Sequence, residues 1–168
     1  CIRDSLIAGL PTDTPESFKN SLDSIVRLNA ECITVHTLCM KRASRLTTEG
    51  VTLDLQQARD AREMLAYTQN ILGQNEYIPY YMYRQSRMVG NLENVGWSKR
   101  GFESLYNVYV MDETHTILAC GSGGVTKLKR NNPDYLERIF NFKYPYEYID
   151  RFDELIQRKS GIMQFYGQ

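Results

Sequence analysis

The residues able to do chemistry fall in four short stretches. "GLPTDT" (9–14) joins an apolar run to a helix start. Gly9 permits close backbone approach, and a helix opening after Thr14 offers unpaired N–H groups. Asp4 and Ser5, at the head of that run, carry oxygens suited to ribose hydroxyls, or equally to a strand edge. "TLCMKRAS" (37–44) and "YRQSRMVGNLENVG" (83–96) bring together Lys41, Arg42, Arg45, Arg84 and Arg87. Such cations can hold carboxylates through paired hydrogen bonds; the plainer reading is a solvated basic rim. In "ACGSGGVT" (119–126), Gly121, Gly123 and Gly124 let a ligand approach the backbone. That loop lacks the Gly-x-x-x-x-Gly-Lys-Ser/Thr pattern of a phosphate loop.

His36 and His115 are the two histidines of the chain. His36, in the apolar run "ITVHTL", reads as a packed or hydrogen-bonding side chain, since no partners converge on it as metal ligands. His115 reads as a solvated turn residue. Cys1, Cys32, Cys39 and Cys120 have spacings that fit neither a zinc ribbon nor a Cys-x-x-Cys pair. They read as buried thiols. A catalytic triad is recognised by geometry, and the sequence shows none.

The elements that must position these stretches follow from periodicity. Residues 2–8 read as a buried strand, and Thr14-Pro15-Glu16 as an N-cap, a first-turn proline and an acidic residue at a helix start. Phe18, Leu22, Ile25 and Val26 then keep helical spacing. A second strand is expected over 31–40, and 41–53 reads as a connecting loop. Asp54 caps a helix running to about Leu72, ended by Gly73, and a third strand covers 77–85. This β-α-β-α-β order predicts a parallel sheet, with sites at the C-terminal ends of its strands. After Arg87 the texture changes. The stretch 88–104 reads as a long loop and 105–124 as two strands around a turn near 112–114. Pro145 is expected to start one last amphipathic helix carrying Ile149, Phe152, Leu155 and Ile156.

The chain has 168 residues, enough for a real core, and 42% of them are hydrophobic, which argues against disorder. Twenty basic residues balance twenty acidic ones, which argues against a nucleic-acid or polybasic membrane surface. No apolar run approaches membrane-spanning length, and no secretory signal is legible, so the expected location is cytoplasmic. A first residue of Cys instead of Met reads as a processed chain or a piece of a longer one.

Taken together, these loops resemble the C-terminal part of the oxygen-independent coproporphyrinogen III oxidases, a radical S-adenosylmethionine (SAM) family. "LIAGLPTDTPESF" is similar to the family's Asp-Leu-Ile-x-Gly-Leu-Pro-x-x-Thr segment, and "ENVGWSKRGFESLYNVYV" to its Glu-Ile-Ser-Asn-Phe-Ala-Lys-Pro-Gly-x-Glu-Ser-x-His-Asn pattern. "ACGSGGVT" resembles its Gly-x-Gly-x-x-Ala-x-Ser loop. "VHTLCMKRAS" and "YYMYRQSRMVGNLENVG" are similar to a branch described as coproporphyrinogen dehydrogenase. The resemblance covers nearly the whole chain in order. Ala119 replaces the first glycine of the loop, Thr126 its serine, and Tyr106 the histidine of the His-Asn pair.

The resemblance implies an α/β fold: the C-terminal half of a partial (β/α) radical-SAM barrel of parallel strands and helices, plus a β-hairpin and helix elaboration. Residues 1–88 would be late βα units and 89–168 the elaboration, forming one compact unit. It implies oxidative decarboxylation of coproporphyrinogen III propionates in haem biosynthesis, with SAM and a [4Fe-4S] cluster in the parent protein. This chain lacks the Cys-x-x-x-Cys-x-x-Cys cluster loop, so the isolated chain is expected to bind neither cofactor and to be inactive. The family's SAM-ribose Asp aligns with Ser5, with Asp4 one residue early. Gly9, Cys39, Gly121 and Val125 match further SAM-facing positions. Arg84, Arg87 and Glu93 are expected on the substrate side of the barrel mouth. Expected partners are the porphyrinogen, an electron donor and, through an exposed sheet edge, a second copy. Nucleic acid and membrane are not expected. The alternatives are a radical SAM enzyme with another substrate, or a haem-binding or haem-delivery relative.

Overall fold

The structure is a computed structural model that describes residues 3–41, 44–52, 54–86, 88–130 and 135–167. It divides into two compact units, 1–108 and 109–168.

The first unit opens with β1 (Arg3–Ala8), α1 (Pro15–Arg27), β2 (Cys32–Thr37), the short α2 (Arg45–Thr48), α3 (Leu55–Gln74), β3 (Ile78–Tyr83) and β4 (Asn94–Ser98). The expected capping residues start both long helices. The Thr14 hydroxyl accepts from the Ser17 N–H at 3.1 Å, and Ser17 Oγ accepts from the Thr14 N–H at 2.9 Å. Asp54 and Gln57 repeat the reciprocal pair on α3. Each box satisfies donors that a helix start leaves open. Phe18, Leu22 and Ile25 of α1 and Met64 and Leu72 of α3 pack on Ala8, Ile33, Val35 and Trp97 of the sheet. At the surface the Tyr67 hydroxyl donates to Asp23 at 2.7 Å, tying α3 to α1.

The sheet order is β1-β2-β4-β3. β1 and β2 are parallel in unbroken register, Arg3 opposite Cys32 through Ala8 opposite Thr37. β4 runs antiparallel to both neighbours, so the sheet is mixed and not wholly parallel. β4 arises from the stretch expected to be loop. It places residues 94–98 between β2 and β3, so a boundary at residue 88 would cut the sheet. The division falls at Val108 instead.

The expected hairpin over 105–124 is also corrected. Leu105–Asp112 is a helix, α4, which spans the division. The second unit has a hairpin elsewhere, β5 (Val125–Lys129) against β6 (Leu136–Phe140), antiparallel. The single last helix is three short ones: α5 (Pro145–Asp150), α6 (Phe152–Lys159) and α7 (Gly161–Tyr166). The backbone leaves helical geometry at Arg151 (φ −113°, ψ 31°). Leu155 is buried, while Ile149, Phe152 and Ile156 are exposed.

Candidate functional site

Strand side chains alternate between faces. Leu6, Ala8, Ile33, Val35, Val95 and Trp97 belong to the core on the helix-covered face. Ser5 and Ile7 therefore share the opposite face with their register partners Thr34 and His36. Two tyrosines of β3 close over this face. Gly96 of β4 stands between Thr34 and Tyr81 in register, and the Tyr81 ring fills the space a Gly96 side chain would take. The Tyr81 hydroxyl meets Thr34 Oγ1 at 3.0 Å, and the Tyr83 hydroxyl meets His36 Nδ1 at 3.3 Å. The two rings lie 6° from parallel with centroids 6.4 Å apart. His36 is half-buried. Desolvation, aided by the charge of Arg3, pushes its pKa below the ordinary value. The face thus presents hydroxyls and an imidazole whose charged form is disfavoured, with the Arg3 guanidinium at its edge, groups that can bind a polar ligand.

The register settles which of the two neighbouring oxygens reaches that face. No bulge interrupts β1, so Ser5 lies on the tyrosine side. Asp4 falls in the alternation of Leu6 and Ala8, and its carboxylate accepts from the Ser5 N–H at 2.8 Å. Gly9, at the end of β1, has φ +83°, and its N–H points to Met64 Sδ at 3.3 Å. A methyl there would stand 3.2 Å from Ala61 Cβ. Gly9 thus serves the close approach of α3, and its N–H is already engaged.

At the same strand ends, the Thr37 N–H donates to Asn94 Oδ1 at 2.7 Å. Cys39 pairs with Met88 across an isolated bridge, and its thiol donates to the Ser86 carbonyl at 3.1 Å. Arg84 and Glu93 form an ion pair with each other. Both line a cavity of about 330 Å³ with Arg62, Leu65, Val95 and Trp97. Since Val95 and Trp97 belong to the core side of the sheet, this cavity lies apart from the face of Ser5 and His36. Arg87 and Arg42 lie outside the described residues, as does Cys1.

In the second unit the glycine loop is pinned on every side. The Thr126 hydroxyl, fully buried, accepts from the Ala119 N–H at 3.0 Å and from Lys159 Nζ at 2.6 Å. Lys159 Nζ also donates to the Ala119 carbonyl at 2.8 Å. Asn141 Nδ2 donates to the Gly121 carbonyl at 2.7 Å, and the Gly123 N–H donates to the Phe142 carbonyl at 2.7 Å. The Tyr148 hydroxyl accepts from the Gly121 N–H at 3.3 Å. Cys120, in the loop, is exposed, which corrects the reading of all cysteines as buried; Cys32 is buried and donates to the Phe102 carbonyl at 2.9 Å. His115 is exposed as expected and stacks on Tyr109 at 3.9 Å.

Tyr81, Tyr83 and Tyr148 belong to the tyrosine-rich stretches "YIPYYMYRQ" and "KYPYEYI", which read in the sequence as amphipathic walls with polar tips; sequence reasoning misses Asn141 and Lys159. Tyr81 and Tyr83 carry a further signal: tyrosines two residues apart share a strand face. For Asn141 and Lys159 there is none, because their partners, backbone carbonyls and the Thr126 hydroxyl, are distant in sequence.

These features define an α/β protein whose strand ends and glycine loop carry the polar groups. No family model matches the chain. It is 35% identical over 163 residues to the oxygen-independent coproporphyrinogen-III oxidase-like protein HemZ of Bacillus subtilis (strain 168), a match over 97% of this chain and 32% of the relative. Its fold is similar to that of coproporphyrinogen III oxidase, HemN, from Escherichia coli, described as a radical SAM enzyme. That match has a TM-score of 0.54 at 16% identity, over 90% of this chain and 34% of that one. The chain thus spans about a third of the length of each protein. The resemblance to the oxygen-independent coproporphyrinogen III oxidases, drawn from four motifs in order, holds.

Proposed function

We propose that this chain supplies late βα units and the glycine loop of a coproporphyrinogen-oxidase-like radical SAM protein. The observation that carries this reading is the 35% identity to the HemZ protein over 97% of the chain. The reaction would be oxidative decarboxylation of coproporphyrinogen III propionates to vinyl groups in haem biosynthesis. The tyrosine-covered face of the sheet, opposite α1 and α3, would be the inner wall of the barrel, since helices cover the outside of such folds.

Among the described residues, no group of three or more His, Cys, Asp or Glu side chains could hold a metal ion. A [4Fe-4S] cluster therefore does not fit the described residues of this chain. The donors for SAM fit better: the resemblance assigns it to Asp4 or Ser5, Gly9, the backbone at Cys39, Gly121 and Val125, and the strand register favours Ser5 of the first two. When bound, SAM supplies the one-electron chemistry that removes hydrogen from the substrate. The chain's own part is to hold ligand through hydroxyls and backbone groups and to exclude water. Arg84 and Glu93, paired with each other in the cavity on the helix-covered side, stand apart from the tyrosine-covered wall, so the substrate-side role expected of them has no part in this reading.

The test is to express the full open reading frame that encodes this chain, reconstitute it anaerobically with iron and sulfide, and supply SAM, a reductant and coproporphyrinogen III. Vinyl-group formation is the expected result. Absence of turnover with a haem-dependent Soret shift would overturn the enzyme reading in favour of haem delivery. Among the described residues no helix is long and apolar enough to cross a membrane.

A further inference from the structure

The glycine loop holds its shape through a side chain from the far end of the chain. Lys159 is the last residue of α6, partly buried, and its two described acceptors are the Ala119 carbonyl and Thr126 Oγ1 at 2.8 and 2.6 Å. Those atoms are the two ends of the loop 119–126. Burial disfavours the ammonium and lowers its pKa. A desolvated cation is retained at low cost only where acceptors meet it, and here both acceptors belong to one loop. Thr126 completes the clasp, because the same oxygen takes the Ala119 N–H. One ammonium and one buried hydroxyl therefore close the loop across its base, while Asn141 and Tyr148 hold its tip.

We propose that Lys159 is a positioning residue for the glycine loop, fixing the backbone of Gly121 and the placement of Val125 for the ligand they meet. The inference rests on the reading of that loop as a SAM contact. Lys159 touches the two ends of the loop, so its effect is on the loop's order. Thr126 stands where the related loop has serine, and either residue supplies the hydroxyl that the clasp requires.

Hydrogen exchange of the loop amides, read by mass spectrometry on the full-length protein with and without SAM, tests this. Lys159→Met should speed exchange of the peptide 119–126 about tenfold, as expected for loss of charge-assisted hydrogen bonds at a local opening. Lys159→Arg, which keeps the donors, should restore slow exchange. Thr126→Val should give the same loosening with Lys159 in place, and the double variant should add nothing. Exchange in α1 and α3 serves as the control for global unfolding. SAM should slow loop exchange in the wild type and in Lys159→Arg, and fail to do so in Lys159→Met. Unchanged loop exchange in Lys159→Met would overturn the clasp. A loosened Lys159→Met loop, with no SAM protection in the wild type, would instead overturn the cofactor reading of the loop.

Discussion

The ring of Tyr81 lies where a side chain on Gly96 would be: a Cβ built there would stand 1.7 Å from Tyr81 Cε1. The absence of one side chain on β4 is what lets a tyrosine of β3 cross that strand and reach Thr34 on β2 at 3.0 Å. Gly96→Ala must drive the ring off the sheet, breaking that bond and uncovering Gly96's neighbours. The expected loss is about 1–3 kcal/mol in urea unfolding. In a Tyr81→Ala background the same substitution should cost almost nothing, because the obstacle is gone; equal costs in both backgrounds would refute the arrangement.

Gly9 tests a different cause. It combines φ +83° with a neighbour, Ala61 Cβ, 3.2 Å from where an added methyl would stand, whereas Gly50 has φ +74° and open space around it. Gly50→Ala should cost only the left-handed strain of about 1–2 kcal/mol. Gly9→Ala should cost more, since α3 must also retreat. Thermal unfolding of the two variants side by side measures the difference. Equal shifts would mean that packing against α3 plays no part.

Much of the first unit is legible in the sequence because its signals are local. Thr14 and Asp54 cap helices through atoms three residues away, and Phe18, Leu22 and Ile25 face the core at helical spacing. β4 is not legible, because its loop-like residues have tertiary reasons. Gly96 yields space to Tyr81, and Asn94 accepts the last N–H of β2. α4 reads as strand because Val108, Tyr109 and Val110 favour β structure and no apolar stripe marks a helix; its first turn closes from Val108 N–H to the Ser104 carbonyl. Gly73 does not end α3, which runs on to Gln74, and Glu76 takes the positive φ, 64°, expected of a glycine. At the site, the motif alone leaves Asp4 and Ser5 unresolved. Strand register resolves them, since a parallel pair without a bulge admits only one face for each.

His36 gives the fold a pH dependence. Burial, with the nearby charge of Arg3, lowers its pKa in the folded state, while the unfolded chain keeps the ordinary value of about 6.5. Above that value both states are neutral and the residue makes no difference. As pH falls below it, the unfolded state takes up a proton first, so stability declines until the folded-state pKa is passed. His36→Gln should flatten this limb of the pH–stability curve measured by urea unfolding. An unaltered limb would place the dependence on other groups.

Cysteine reactivity separates the two units. Cys120 is exposed on the glycine loop, whereas Cys32, the first residue of β2, is 2% exposed and gives its hydrogen to the Phe102 carbonyl. A thiol reacts when a reagent reaches it as thiolate, so access decides the order here. Under native conditions iodoacetamide should label Cys120 faster than Cys32 by on the order of tenfold or more, the gap closing in urea as opening of the first unit becomes frequent. Peptide mapping by mass spectrometry reads both sites at once. Labelling of Cys32 at the rate of Cys120 in native buffer would show that β2 does not stay paired with β4, and with that the face formed by Thr34, His36 and the two tyrosines would be lost.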